Sequence, residues 1–144
     1  MTMYKKILIP LDNSPSDQAI VEHIQPLAKM MSASVVLIHV ADGYAARLQS
    51  ELNLADSEEI KKDEEYLARR QLEFEQKGLK AKSLLVQGEP ADEILKIAGQ
   101  EHCDLIAMST HGHRFVKDLI LGSVEDSIRH NTDIPILMIR SRSK

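Results

Sequence analysis

Apolar residues recur along this chain in two alternating rhythms. The runs Lys6–Leu11 (KILIPL), Ser34–Val40 (SVVLIHV), Lys82–Gln87 (KSLLVQ), Asp104–Met108 (DLIAM) and Pro135–Arg140 (PILMIR) are short and mostly apolar, several of them rich in branched side chains. Runs of this kind predict strands covered on both faces, as in parallel sheets. Between them the apolar positions are spaced by threes and fours. Ile20, Ile24, Leu27 and Met31 predict an amphipathic helix over Ser16–Met31, with Asn13 or Ser14 as its cap and Pro15 in its first turn. Pro26 is expected to interrupt or kink that helix, because it has no N–H and crowds the preceding turn.

The most charged stretch, Ser57–Lys77, sets Ile60, Tyr66, Leu67 and Phe74 along one side of a long helix that Gly78 ends. Further helices are predicted at Pro90–Gln100 and Val124–His130, with a loop or short helix over Ala41–Ala55. Strand and helix thus alternate with no hairpin dipeptide between strands. That order predicts an α/β fold: one domain over residues 1–144, with an open, mostly parallel five-stranded sheet and helices on both faces, Rossmann-like in plan. Ligands of such folds sit beyond the carboxyl ends of the strands, where strand order reverses. Pro10–Ser14, His39–Asp42 and Ser109–Ser123 all lie there.

Composition narrows the function. With 144 residues, 43% of them hydrophobic, the chain is long enough for one sizeable core. A net charge of -4 argues against nucleic acid, which calls for a basic face. Lys5–Lys6 and Arg140–Lys144 are basic but flank strands and carry no interleaved aromatics. No apolar run approaches the ~20 residues that span a bilayer, so no membrane partner is expected. The opening MTMYKKILIPLD has a strand-length apolar stretch followed by Pro10 and Asp12, unlike a signal peptide. Cys103 is the only cysteine, which excludes an intrachain disulfide and fits a cytoplasmic protein. Its expected role is a small residue entering a buried strand.

Ser109–Val124, STHGHRFVKDLILGSV, carries the strongest chemical signal. It leaves a buried strand, supplies Gly112, then nine residues (His113–Leu121), then Gly122–Ser123 before a helix. Glycine lets amides approach a ligand, and a helix N-terminus favours anions, so the segment reads as a phosphate cradle. Taken singly, Gly112 and Gly122 are ordinary turn residues; their spacing and Ser123 favour binding. This is not a Walker loop, since no lysine follows Gly122. His111 and His113 lack a third ligand at zinc spacing, and Ser123 is not in a hydrolase elbow. His39 in its apolar strand reads as a satisfied core histidine. Asp12 ends a strand, where a carboxylate can bond a hydroxyl, help hold a metal, or form an Asx turn. Asp12 and His111 are the only candidate helpers for hydrolysis, so no catalytic residue is assigned.

In these segments the chain resembles the universal stress protein family over essentially its whole length. Members that bind ATP carry glycine, two residues, glycine, nine residues, then Gly-Ser or Gly-Thr. Here the second glycine is Gly112 and the last pair Gly122–Ser123, while the first glycine falls on Ser109. KKILIPLDNS, LIHV, GEPADEIL and PILMIR are similarly family-like. The resemblance implies ATP with Mg²⁺ (or Mn²⁺) across the strand ends. Pro10, Leu11 and Asp12 would meet the nucleoside, with Asp12 near the ribose, and the Val40 backbone would meet adenine. Met108, Ser109 and His111 would line the ribose and phosphate path, and amides of Gly112, Gly122, Ser123 and Val124 would hold phosphates. If the first glycine serves a positive φ, Ser109 costs about 1 kcal/mol or more; if only its backbone meets ligand, serine is tolerated, and the second reading is preferred here.

The implied function is a nucleotide-dependent stress-response switch or scaffold, homodimeric through the Pro135–Arg140 strand. A slow ATP hydrolase or autokinase using the same site, and a nucleotide-free interaction protein, are the alternatives. The protein partner is unknown.

Overall fold

A computed structural model describes residues 3–42, 54–110 and 124–141. Five strands appear where the apolar runs lie: β1 (Lys6–Pro10), β2 (Ser34–Asp42), β3 (Ala81–Gly88), β4 (Leu105–Thr110) and β5 (Ile136–Arg140). They form one sheet in the order β3-β2-β1-β4-β5, and every pairing is parallel. The helices are α1 (Asp17–Met31), α2 (Leu54–Gln76), α3 (Pro90–Gln100) and α4 (124–130). The expected single-domain α/β architecture is therefore the observed one.

Strand alternation divides the core in two. Ile7, Ile9, Val35, Leu37, Leu105 and Ala107 face α1 and α2, meeting Ile20, Ile24, Leu67 and Phe74. Leu8, Val36, Ile38, Ile106 and Met108 face α3 and α4, meeting Ile94, Ile97 and Ile128. The period of two along each strand is why near-continuous apolar runs were needed: both faces are covered. Phe74, fully buried, is the largest of these side chains. Cys103 is buried at the entrance to β4, and burial pushes its thiol up to about 11, as suits a packing residue.

Two local expectations need correction. The cap of α1 is Ser16, and neither Asn13 nor Ser14 caps it; Pro15 precedes the helix in a turn. Ser14 instead sits inside that turn, where its hydroxyl accepts the Ser16 N–H at 3.3 Å. Nor does Pro26 interrupt α1, which runs unbroken from Asp17 to Met31. Pro26 lies on the exposed side, so its ring meets water and the buried stripe of Ile20, Val21, Ile24 and Ala28 holds the helix in place. Gly78 ends α2 as expected, at a φ of 85° that only glycine adopts freely.

The strand order reverses beside β1. From β1 the chain moves out through β2 to β3, then returns to lay β4 on the other side of β1. β1 follows β2 from Lys6↔Ser34 to Pro10↔Ile38, but pairs with β4 only at Ile7↔Leu105 and Leu8↔Ile106. Pro10 explains the parting. Leu11 N–H donates to the Ile38 carbonyl and Asp104 N–H to the Lys6 carbonyl, so even-numbered residues of β1 face β4. Pro10 is the next of these and has no N–H to continue the ladder. Beyond Leu8 the two strands therefore diverge, and a gap opens at the carboxyl end of the sheet.

Candidate functional site

A cavity of about 230 Å³ fills that gap. Ile38, Val40, Ile94, Met108 and Val124 make it apolar, while Asp12, Ser16, Asp17, His39, Ser109 and Glu125 add polar groups. Three of those are carboxylates, and no lysine or arginine stands among the described lining residues. Of the residues singled out in the sequence, Pro10, Leu11, Asp12, Val40, Met108, Ser109 and Val124 all line this cavity. His111, Gly112, Gly122 and Ser123 lie outside the described residues.

Ser109 has a clear structural account. It belongs to β4, and the described non-glycine residues with positive φ are Asn13, Ser32 and His102, so its backbone is unstrained. Its hydroxyl donates to the Ser16 carbonyl at 2.7 Å, tying the end of β4 to the β1–α1 loop. Serine here adds a bond that glycine cannot make.

The β1–α1 loop is held by a chain of polar contacts. Asn13 has a φ of 60°. Its N–H and that of Asp12 donate to the Asp17 carboxylate at 2.9 and 3.2 Å. Tyr66 of α2 donates its hydroxyl to the same carboxylate, and Arg70 Nε donates to the Tyr66 oxygen at 3.0 Å. A second bridge runs from α2 through Asp63, which accepts Asn13 Nδ2 at 3.2 Å and lies 3.2 Å from His39 Nε2. The other ring nitrogen of His39 donates to the Leu11 carbonyl at 2.8 Å. His39 is thus satisfied at both nitrogens, as the sequence suggested, yet it also lines the cavity.

Burial, followed by the neighbouring Asp12 charge, raises the Asp17 carboxyl from 3.8 to about 6. Burial and the bond to Asp17 push the Tyr66 phenol up, which keeps it a neutral donor. Among the described residues no group of three or more His, Cys, Asp or Glu is arranged to hold a metal ion. No described helix is long and apolar enough to cross a membrane.

Sequence reasoning did not place Ser16, Asp17, Ile38, Pro90, Ile94 or Glu125 in the site. Pro90 and Ile94 belong to the GEPADEIL segment, so that segment carried a usable signal. Asp17 falls inside the helix predicted over Ser16–Met31, and nothing in one sequence says its carboxylate turns back onto the loop.

The architecture defines the class: a doubly wound α/β domain whose cavity lies at the switch point where such folds take ligands. The chain belongs to the universal stress protein family, whose family model matches residues 3–140. It is 30% identical to Universal stress protein MJ0577 of Methanocaldococcus jannaschii, over 98% of each chain. The solved structure of MJ0577 superposes with a TM-score of 0.83, covering 99% of both chains. Two more distant structures share the fold at 16% identity. One, a universal stress protein in complex with cAMP, covers 96% of this chain and 98% of its own with a TM-score of 0.69. The other, from Archaeoglobus fulgidus in complex with dAMP, covers 96% and 99% with a TM-score of 0.68.

Proposed function

We propose that this chain binds ATP with Mg²⁺ at the switch-point cavity and works as a nucleotide-dependent switch or scaffold in the stress response, as a homodimer. One observation carries the reading: the cavity opened by Pro10 is lined by Pro10, Leu11, Asp12, Val40, Met108, Ser109 and Val124, all of them residues that the family resemblance nominates. Its apolar lining suits a purine. Asp12 at the rim suits the ribose hydroxyls, as an acceptor for their O–H groups. Adenine nucleotides in the cAMP and dAMP complexes of other family members support the ligand class.

The charge pattern supports a metal-bound nucleotide. Asp12, Asp17 and Glu125 would repel bare phosphates, and the described lining has no cation to offset them. Mg²⁺ takes carboxylate and phosphate oxygens, and Asp12 and Glu125 offer that chemistry at the cavity. Amides of Gly112, Gly122, Ser123 and Val124 would hold the phosphates, with His111 beside them.

Calorimetric titration of nucleotide-stripped protein with ATP and Mg²⁺, at protein concentrations of about 100 µM, tests the reading. Saturable heat that is lost in Gly122→Val is the expected result. Absence of heat from the native chain would sink it and favour a nucleotide-free interaction protein. Metal-dependent phosphate release, abolished by Asp12→Ala, would instead favour the slow hydrolase.

A further inference from the structure

Asp17 is an unusual residue for the place it occupies. A carboxylate in the first turn of a helix is ordinarily explained by the helix dipole. Here the carboxylate turns backward, accepting the N–H groups of Asp12 and Asn13 rather than capping α1. It is almost fully buried, 2% exposed, and lines the cavity. It also sits beside Asp12, a residue of like charge, in a place where a neutral residue would avoid the repulsion. Asn13, whose N–H it holds, is in the left-handed region, which asparagine tolerates better than most non-glycine residues. These features together describe a group that shapes the loop at the cavity.

We propose that Asp17 is a positioning residue of the nucleotide cavity: it holds Asn13 left-handed and so sets Asp12 at the rim, and Tyr66 of α2 holds Asp17 in turn. The proposal rests on the nucleotide reading of the cavity and adds a residue pair that the family motif does not contain. α2 thereby grips the loop at two points, Tyr66 on Asp17 and Asp63 on Asn13. The ionised carboxylate, an acceptor at both oxygens, is the form that holds both N–H groups and the Tyr66 hydroxyl most firmly. The charged and titratable groups around Asp17 are Asp12 in the loop, Tyr66 and Arg70 on α2, the His39–Asp63 pair beyond Asn13, and Glu125 of α4 across the cavity.

The test measures affinity for Mg²⁺–ATP in the native chain, Asp17→Asn and Tyr66→Phe. Asp17→Asn is expected to weaken binding about tenfold or more and Tyr66→Phe about fivefold. In an Asp12→Asn background the loss from Asp17→Asn is expected to shrink to about twofold or less, because Asp17 acts through Asp12. Tyr66→Phe keeps the ring in the core, so it still tests the bridge if Asp17→Asn does not fold. Affinities within about twofold of native for the variants that fold, or the same loss from Asp17→Asn with and without Asp12→Asn, overturn the proposal and leave the nucleotide reading intact. No saturable binding by the native chain overturns both.

Discussion

Asp17 also leaves a mark on stability that needs no ligand to detect. Its carboxyl is raised from 3.8 to about 6, first by burial and then by Asp12. The folded chain therefore takes up this proton as pH falls through about 6, while the unfolded chain waits until about 4. Between those values the folded state binds more protons, so this group makes the protein more stable as pH falls and less stable as pH rises. The full effect is on the order of 2–3 kcal/mol. Other carboxylates titrate in the same range, so the clean quantity is the difference between Asp17→Asn and native. In thermal melts that difference should move against the variant as pH drops from about 7.5 to about 4.5, because only the native chain gains the proton. A difference independent of pH would mean that Asp17 is not held in a cost-bearing state. At the same scale, Ser109 departs from the family motif without backbone strain. The position is an extended strand residue, and its hydroxyl finds the Ser16 carbonyl.

Elements were the most legible level of this chain. All five strands were marked by their apolar runs, and α3 was bounded correctly by Pro90 and Gln100. Parallel strands buried on both faces need that apolar density, which local sequence reveals directly. The start of α1 was not legible, because Asn13, Ser14 and Ser16 are all competent caps and tertiary contacts decide among them. The cavity lining was legible where strand ends define it, at Pro10–Asp12, Val40 and Ser109, and through the family resemblance at Met108; the glycine spacing falls on residues outside those described. It was illegible at Asp17 and Tyr66, which meet across 49 residues of chain. Pro26 marks another limit of local reasoning. An exposed proline inside a continuous helix is a cost that the buried face of α1 offsets. Pro26→Ala restores the donor and removes the crowding without loss of packing, and is expected to stabilise the protein by up to ~3 kcal/mol. Chemical denaturation reads it; an unchanged midpoint would show that α1 is already relaxed around the ring.

At the scale of the whole molecule, the unresolved demand is the edge of the sheet. β5 is the last strand beyond β4, and Ile136, Leu137, Met138 and Ile139 are each only half-buried although all are apolar. An apolar edge with backbone groups facing outward invites a second strand, and that supports the homodimer proposed above. The ladder says which backbone groups face that way. Ile106 N–H donates to the Pro135 carbonyl and Ser141 N–H to the Thr110 carbonyl, so odd-numbered residues of β5 bond to β4. The Met138 N–H therefore points away from β4. Met138→Pro deletes an outward donor and spares the β4–β5 ladder, which is where a strand tolerates proline. In sedimentation at micromolar concentration the native chain is expected at twice the mass of one chain, and Met138→Pro at the mass of one, with unchanged circular dichroism. A native chain that sediments as a monomer would defeat the dimer. β4 pairs with β5 through Thr110 and carries Met108 and Ser109 on the cavity, so one strand joins the edge to the site. If nucleotide binding shifts the dimer equilibrium, reciprocity requires that dimer and monomer differ in nucleotide affinity by the same factor. Comparing the affinity of native protein with that of Met138→Pro measures that factor. A ratio of one would place the switch elsewhere than at the dimer edge.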